Sequence, residues 1–202
     1  KNISYRTSLL GSKQLPQLTV TEVERGTIAE EEAYQIEAQP LKHSTRCVGY
    51  RFKERDRRRF KPSLMKKYNL SPGPLLGQLQ KDNQIFFQGK KIRIEEVTDH
   101  IPGFHWAYIT DTRPCPGVDA LAKNVDVLVI ESTFKEELQE KAEEYFHLTT
   151  KEAALIANRN NVKRLILTHI SQRYQFSKEL EEEAQKYFPA CRVAEDFMKV
   201  QL

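Results

Sequence analysis

The sequence has few features that would form disulfide cross-links or anchor the chain in a membrane. It contains three cysteines, Cys47, Cys115 and Cys191, and no Cys-x-x-Cys pair. This odd, widely spaced set argues against a disulfide framework or a zinc ribbon and favours a reducing compartment, so we expect a cytoplasmic protein. The longest apolar runs, such as residues 127–130, are much shorter than a membrane span, and no apolar segment near the start has the length of a secretory signal.

The composition fits one large domain, or one domain with an appendage. The chain has 202 residues, 39% hydrophobic and 30% charged, which is polar for a globular domain but above the disordered range. The formal net charge of +4 is too small by itself to indicate a nucleic-acid partner. The charge is concentrated, however, because residues 51–67 carry nine Lys or Arg against two acidic residues and leave the rest of the chain at −3.

Residues 52–102 differ from the sequence on either side of them. They show much charge and little apolar periodicity, apart from a small hairpin predicted at residues 85–93 with its turn at Gly89. Strands are predicted before them at residues 19–24, 34–42 and 47–54. We therefore expect residues 52–102 to form an inserted arm, on a core made of residues 1–51 and 103–202.

From residue 106 onward the pattern changes to alternating strands and helices. The predicted strands are residues 106–109, 125–130, 164–168 and 192–200, and the predicted helices are 133–145, 149–158 and 177–187. Thr133 with Glu136, and Thr149 with Glu152, have the spacing of a capping box that opens a helix. The alternation predicts an α/β fold with helices packed on a sheet.

Polar side chains that can bind metal follow several of these strands. His43, Asp111 and His169 each come directly after a predicted strand, and Glu131 ends another. Because ligands in α/β sheets collect at the carboxyl ends of strands, we expect His43, Asp111 and His169 to lie close together. Two imidazoles and a carboxylate suit zinc or manganese, but a histidine after a strand is often only a hydrogen-bonded structural residue. The pattern alone leaves both interpretations open.

The other three histidines carry weaker signals. His147 lies two residues before the helix-capping Thr149, where the helix dipole disfavours an imidazolium. Its position is compatible with an acid or base role, or with a loop histidine that bonds the backbone. His100 and His105 lie where the arm returns to the core, and for them a structural role is favoured.

Five segments, taken in chain order, point to one family. They are His43 followed by Gly49 and Tyr50, PGPLLG at residues 72–77, DTRP at 111–114, ESTF at 131–134, and HLTT at 147–150 together with LILTHISQRY at 165–174. Together they resemble ribonuclease Z, the tRNA 3′-processing endoribonuclease family, although Thr110 stands where the family usually has Gly before DTRP. The resemblance implies a metallo-β-lactamase-like αββα sandwich with an inserted flexible arm.

The resemblance also implies roles for single residues. His43, Asp111 and His169 would be ligands in a site for two zinc ions, with manganese as the alternative metal. His147 would stabilise the reacting phosphate or protonate the leaving oxygen, with Glu131 supporting it. The residues expected to bind precursor tRNA are Arg57, Arg58, Arg59, Lys61, Gly73, Pro74, Gly77 and Arg173. In the family the arm commonly serves the active site of the partner subunit, which implies a homodimer.

One family motif is absent from the sequence. Family members carry HxHxDH in their N-terminal half, where it supplies most ligands of one metal and the aspartate usually assigned as general base, and the five histidines here form no HxH. The sequence therefore resembles the C-terminal two-thirds of a ribonuclease Z, and we expect these 202 residues to be inactive alone. Three functions remain open: part of a precursor-tRNA endoribonuclease, a catalytically dead tRNA-binding fragment, or a hydrolase of a small substrate.

Overall fold

The computed structural model describes residues 2–5 and 18–200, and these residues divide into two compact units. One unit is Glu54–Phe104, here called the arm unit, and the other described residues form the larger unit. The strands are Asn2–Tyr5 (β1), Leu18–Thr21 (β2), Gly26–Glu30 (β3), Tyr34–Pro40 (β4), Val48–Glu54 (β5), Arg57–Phe60 (β6), Gln84–Phe87 (β7), Lys90–Arg93 (β8), Thr98–Ile101 (β9), His105–Ile109 (β10), Val127–Glu131 (β11), Arg164–Thr168 (β12) and Cys191–Val193 (β13). The helices are Pro62–Lys67 (α1), Pro74–Asp82 (α2), Pro116–Ala122 (α3), Gln139–Glu144 (α4), Thr150–Arg159 (α5) and Lys178–Gln185 (α6), with 3-10 turns at Ile94–Glu96 and Glu136–Leu138.

The larger unit is built on a seven-stranded sheet in the order β13-β12-β11-β10-β5-β4-β3. Strands β10 to β13 run parallel, and β5 pairs antiparallel with β10. Alternate residues of β10 point to opposite faces, so Ala107 and Ile109 are buried while Trp106 and Tyr108 are partly exposed. The buried side shares its core with apolar residues of α3, α5 and α6, such as Leu121, Ile156 and Leu180. One face of the sheet is therefore covered by helices.

The opposite face of the sheet is aromatic and partly open. We call the side chains of Tyr50, Phe52, Trp106 and Tyr108 the open sheet face. Trp106 and Tyr108 are 38% and 42% exposed, and the ring of Phe52 stacks on that of Trp106 with 6.1 Å between centroids. Large apolar side chains with this exposure on adjacent strands are typical of a surface that packs against something else.

Helix α3 packs unusually close to the sheet. A Cβ atom on Gly117 would lie 2.0 Å from the carbonyl oxygen of Pro40, which is much shorter than any contact a real side chain makes. Only glycine therefore allows the first turn of α3 to lie against β4 at this distance. The loop that connects β10 to α3, and that carries Asp111, is fixed at its far end by this contact.

The arm unit has a small hydrophobic core of its own. Its core residues come from α2, from the β7–β8 hairpin and from the connecting turns, and they are Leu70, Leu76, Leu79, Ile85, Ile92, Ile94 and Val97. The sequence shows little periodicity there because each short element contributes only one or two of these residues. The predicted hairpin at residues 85–93 is confirmed, since β7 and β8 pair antiparallel with Phe87 opposite Lys90.

Two of the predicted elements are wrong, and the structure also contains elements that were not predicted, namely β1, β3, β6, β9, α1, α2 and α3. Thr133 opens no helix, because its hydroxyl bonds Glu131 and His169 instead and α4 begins only at Gln139. The predicted strand at residues 192–200 ends after Val193, since Ala194 makes its last backbone bond to the sheet and the acidic residues that follow lie outside it. Strand β3 lies between two predicted strands. The capping box of Thr149 and Glu152 is confirmed.

The described helices are short. The longest of them, α5, has ten residues. Among residues 2–5 and 18–200, no helix combines the length and the hydropathy that crossing a bilayer requires.

Candidate metal centre

Asp111, His147 and His169 meet at one edge of the sheet. Asp111 follows β10, His169 follows β12, and His147 precedes α5, so three connections deliver one side chain each. One ligand atom from each residue lies within 4.8 Å of the others, and Nε2 of His169 is 3.5 Å from Oδ1 of Asp111. Two imidazoles and a carboxylate at this spacing can hold a divalent metal ion such as zinc. The convergence expected from strand ends is thus seen for Asp111 and His169.

His43 borders this group without joining it. Its ring lies 5.3 Å from the ring of His147 between centroids, and its Nδ1 is 3.3 Å from the carbonyl oxygen of Phe146. Within the described chain, the tight group of ligand atoms contains His147 where the sequence analysis placed His43. A residue before a helix gives no strand-end signal, so only the family resemblance, which gave His147 a role at the reacting phosphate, indicated that it lies in the site.

Glu131 is the buried centre of the hydrogen bonds behind the site. Its carboxylate is fully buried, and Nδ1 of His147 lies 3.1 Å from each of its two oxygens. It also accepts bonds from the backbone N–H groups of Thr112 and Leu148 and from the hydroxyl of Thr133. Because a carboxylate only accepts, His147 donates from Nδ1 and keeps Nε2 for the site. A carboxylate in this position fixes the orientation of the imidazole.

Thr133 connects His169 to the same carboxylate. Its Oγ1 is 2.9 Å from Oε2 of Glu131 and 2.9 Å from Nδ1 of His169. Because the single hydroxyl proton goes to Glu131, the oxygen of Thr133 accepts from Nδ1–H of His169, which leaves Nε2 facing Asp111. This role of Thr133 was not predicted from the sequence, although Glu131 and Thr133 are two residues apart in extended backbone and so share a side.

Replacing Thr133 by Val should weaken metal binding by roughly 10- to 100-fold, because such outer hydrogen bonds fix the orientation of ligating histidines. The shape of the side chain is kept, but His169 loses the acceptor that holds its ring. The affinity is measured by titrating zinc into the metal-free chain in competition with a chromophoric chelator. Thr98→Val removes a buried hydroxyl in the arm unit and serves as the control. Equal affinities in the two variants would contradict this role of Thr133.

Arg113 ties the loop of Asp111 to the loop of His147. Its guanidinium, 11% exposed, donates to both carboxylate oxygens of Glu152 at 2.7 and 2.6 Å and to the carbonyl oxygen of His147 at 2.5 Å. Two parallel bonds between a guanidinium and a carboxylate are geometrically specific. Since Arg113 is only two residues from Asp111, the pair holds both loops near their observed positions.

The electrostatics of Glu152 depend on the same contact. Burial alone would raise the pKa of Glu152, but hydrogen bonds from Arg113, from Gln139 and from the N–H of Thr149 outweigh burial, and the pKa is lowered. A carboxyl whose pKa is lowered on folding stabilises the fold above its unfolded pKa. This contribution is lost as the pH falls through the lowered, folded value.

The residues expected to bind RNA fall in both units. Arg57, Arg58 and Arg59 lie exposed on β6, where Arg58 pairs with Glu95 at 2.9 Å, and Lys61 pairs with Asp99 at 2.6 Å. Gly73 precedes α2 with a φ of 154° and a ψ of −167°, a conformation open essentially only to glycine, and Pro74 and Gly77 follow within the helix. Arg173 lies in the larger unit, with its guanidinium 5.0 Å from the ring centre of Phe134.

Comparison with known proteins identifies the class of fold to which the chain belongs. Residues 93–170 match the family described as "Beta-lactamase superfamily domain". The metallo-beta-lactamase fold protein YhfI from Bacillus subtilis superposes with a TM-score of 0.54 at 13% identity, covering 87% of this chain and 52% of that one. The protein therefore has a metallo-β-lactamase fold, as the sequence predicted.

Within the proteins of this fold, the chain has relatives of clearly similar sequence. The chain is 39% identical to "Ribonuclease Z" from Nocardia farcinica over 170 residues, which cover 84% of the chain and 55% of the relative. It is 38% identical to "Ribonuclease Z" from Methanothermobacter thermautotrophicus over 186 residues, which cover 92% of the chain and 61% of the relative. Over most of its length the chain is similar to these ribonuclease Z proteins. It spans between one half and two thirds of the length of these relatives.

Proposed function

We propose that this chain is part of a metal-dependent endoribonuclease that removes 3′ trailers from precursor tRNA. The observation that carries the proposal is the His147–Glu131 pair aimed at Asp111 and His169, in a chain similar to ribonuclease Z proteins. A phosphodiesterase needs a proton donor for the leaving oxygen and a cation for the phosphate, and these four side chains can provide for both.

The proposed metal ligands are Asp111 and His169, with His43 as a third. Zinc is the proposed metal because its preferred ligands are nitrogen and oxygen in small number, and manganese is the alternative. Ions bound there would polarise the scissile phosphate and lower the pKa of a bound water. In this proposal Asp111, whose Oδ1 lies 3.5 Å from Nε2 of His169, would help to hold both ions. Three ligands are few for two ions, which is consistent with further ligands from the HxHxDH motif of the family.

His147 is proposed as the proton donor. Glu131 accepts its Nδ1–H and compensates the charge of an imidazolium, so a proton on Nε2 is available to the leaving oxygen as the phosphorus–oxygen bond breaks. After cleavage Nε2 is neutral and must regain a proton from solvent. Glu131 holds the ring in place, because its oxygens also accept bonds from the backbone N–H groups of Thr112 and Leu148, which fix the carboxylate.

The arm unit is proposed to bind the precursor tRNA. It holds eleven Lys or Arg against six Asp or Glu, and the rest of the chain holds 21 against 22, so the whole net positive charge lies in the arm unit. Phosphates attract such a surface without regard to base sequence. We further propose a cytoplasmic homodimer in which each arm unit serves the active site of its partner.

Replacing Arg57 and Arg59 by Gln should weaken binding of precursor tRNA and flatten its salt dependence. Each lost phosphate contact reduces the slope of log affinity against log salt by about 0.9, so two lost contacts reduce it by about 1.8. The measurement is filter binding by residues 1–202 at several salt concentrations. Lys123→Gln with Lys141→Gln removes two exposed charges from the larger unit and is the matched control. If that control has the same effect, the arm unit is not the RNA-binding surface.

A catalytically dead tRNA-binding fragment is the second candidate, favoured by the absence of HxHxDH. A hydrolase of a small substrate is the third candidate, and the basic arm unit argues against it because a small substrate needs no such surface.

One experiment distinguishes the three candidates. Residues 1–202 are joined to an HxHxDH-bearing segment of a ribonuclease Z family member, and the product is here called the completed chimera. Cleavage of precursor tRNA at the trailer junction supports the endoribonuclease. Binding without cleavage supports the dead fragment, and cleavage of small phosphodiesters only supports the third candidate.

A further inference from the structure

The β7–β8 hairpin of the arm unit has two chemically different faces. Ile85 and Ile92 lie opposite each other and are buried in the core of the arm unit. In an antiparallel pair, the neighbouring residues on each strand point to the other side. That side holds two directly opposed pairs, Phe86 with Lys91 and Gln84 with Arg93, and all four side chains are exposed. We call these four residues the outer hairpin face.

Phe86 is an apolar side chain exposed on an otherwise polar surface. It is 77% exposed, and in the arm unit, all of whose residues the structure describes, it is the only large hydrophobic side chain classed as exposed. A single ring offers no apolar patch of the size that a protein partner or a bilayer would need. It does offer a flat surface of the size of one nucleobase.

The side chains beside Phe86 are positively charged and favour an anionic ligand. Lys91 lies directly across the ladder and Arg93 one pair further along, and neither makes an ion pair with any acidic residue of the described chain. An aromatic ring beside free cations is the combination that single-stranded nucleic acids bind, with a base on the ring and its phosphates on the cations. RNA is recognised in this way at unpaired loops and bulges.

The outer hairpin face is presented on a rigid support. Gln88 and Gly89 both have positive φ, 49° and 72°, which matches the two-residue turn that joins twisted antiparallel strands most readily. With Ile85 and Ile92 fixed in the core, the hairpin cannot turn Phe86 inward without losing its buried side. Rigid presentation reduces the entropy that binding must overcome.

We infer that the outer hairpin face binds one unpaired base of precursor tRNA, stacked on Phe86, with Lys91 and Arg93 on the flanking phosphates. This inference rests on the proposed function, because it takes the substrate to be RNA. It adds to the charge-based binding of the arm unit a contact that a fully paired RNA helix cannot make. The hairpin therefore distinguishes RNA with an exposed base from duplex RNA.

The test is binding of precursor tRNA by residues 1–202 carrying Phe86→Ala. Loss of one stacking contact should weaken binding by roughly 5- to 150-fold, with the salt slope unchanged because no charge is removed. Phe86→Tyr should bind like the wild type, and Lys91→Gln should reduce the slope by about 0.9. The thermal midpoint of Phe86→Ala should stay unchanged, since the ring is exposed. Phe197→Ala, which removes a ring that is 100% exposed in the larger unit, is the matched control.

A second measurement reports stacking directly. 2-Aminopurine placed in turn at the unpaired positions of the precursor tRNA should lose fluorescence at one position when the wild type binds, and keep it with Phe86→Ala. If Phe86→Ala binds as tightly as the wild type while Arg57→Gln with Arg59→Gln does not, the stacking site is wrong and the RNA-binding arm remains. If the wild type does not bind precursor tRNA, both are wrong. If Phe86→Ala instead loses binding to anionic phospholipid vesicles and keeps its binding of precursor tRNA, the outer hairpin face binds a membrane surface and the inferred base contact is wrong.

Discussion

His147→Ala should lower the rate of precursor tRNA cleavage by the completed chimera by about 10²- to 10⁴-fold, which is what loss of one proton donor or phosphate-stabilising group typically costs. The bound metal should remain, because in the proposed assignment the ligands are Asp111, His169 and His43. The physical basis is the pair of 3.1 Å contacts between His147 Nδ1 and the buried Glu131, which hold the ring with Nε2 toward the site.

Metal content and turnover must be measured on the same preparation, by elemental analysis and by cleavage of labelled precursor tRNA. Glu131→Gln is the companion variant: it keeps the volume of the side chain but removes the charge that stabilises a protonated His147. It should lower turnover strongly as well. If His147→Ala instead loses a stoichiometric metal ion, His147 is a ligand, as its place within 4.8 Å of Asp111 and His169 also allows.

Residues 1–202 expressed alone should self-associate, retain metal weakly and fail to cleave precursor tRNA. The open sheet face places Tyr50, Phe52, Trp106 and Tyr108 on adjacent strands with partly exposed rings, and burying such a surface is favourable at about 25 cal/mol per Å². An open catalytic zinc site uses about three protein ligands, so three ligands shared by two ions bind each ion weakly.

Light scattering after size exclusion measures the association. Tyr108→Lys should shift the chain toward the monomer because it places a charge in the open sheet face, whereas Phe176→Lys, at an exposed ring outside the sheet, should not. A monodisperse chain that cleaves precursor tRNA at the trailer junction would contradict the prediction. It would mean that a set of ligands other than these completes the site.

Part of the site could be predicted because it follows from strand direction alone. Asp111 and His169 follow β10 and β12, which flank β11 in one parallel sheet, so their side chains must emerge at the same edge. The place of His147 could not be predicted in this way. Its loop is positioned by Glu131 and Arg113, which approach from other parts of the chain, and sequence periodicity contains no signal for such contacts.

The errors have a common physical origin. Thr133 has the spacing of a helix cap, but the buried carboxylate of Glu131 and the imidazole of His169, which follows β12, bind its hydroxyl more favourably than a helix end would. Local propensity was overridden by tertiary contacts. The core of the arm unit was hidden for the opposite reason, since residues such as Leu79 and Ile92 belong to elements too short to show a period.

The bidentate contact of Arg113 with Glu152 has a consequence for reading mutations. Asp111 and His147 lie on different loops, but one guanidinium joins both loops through Glu152 and the His147 carbonyl, so the two share a single free energy of opening. A substitution on either loop therefore affects the positions of both Asp111 and His147, and the effects of two such substitutions will not add. The two loops at this edge of the sheet therefore open and close as one cooperative unit, and a mutational effect measured there describes the pair of loops and not Asp111 or His147 alone.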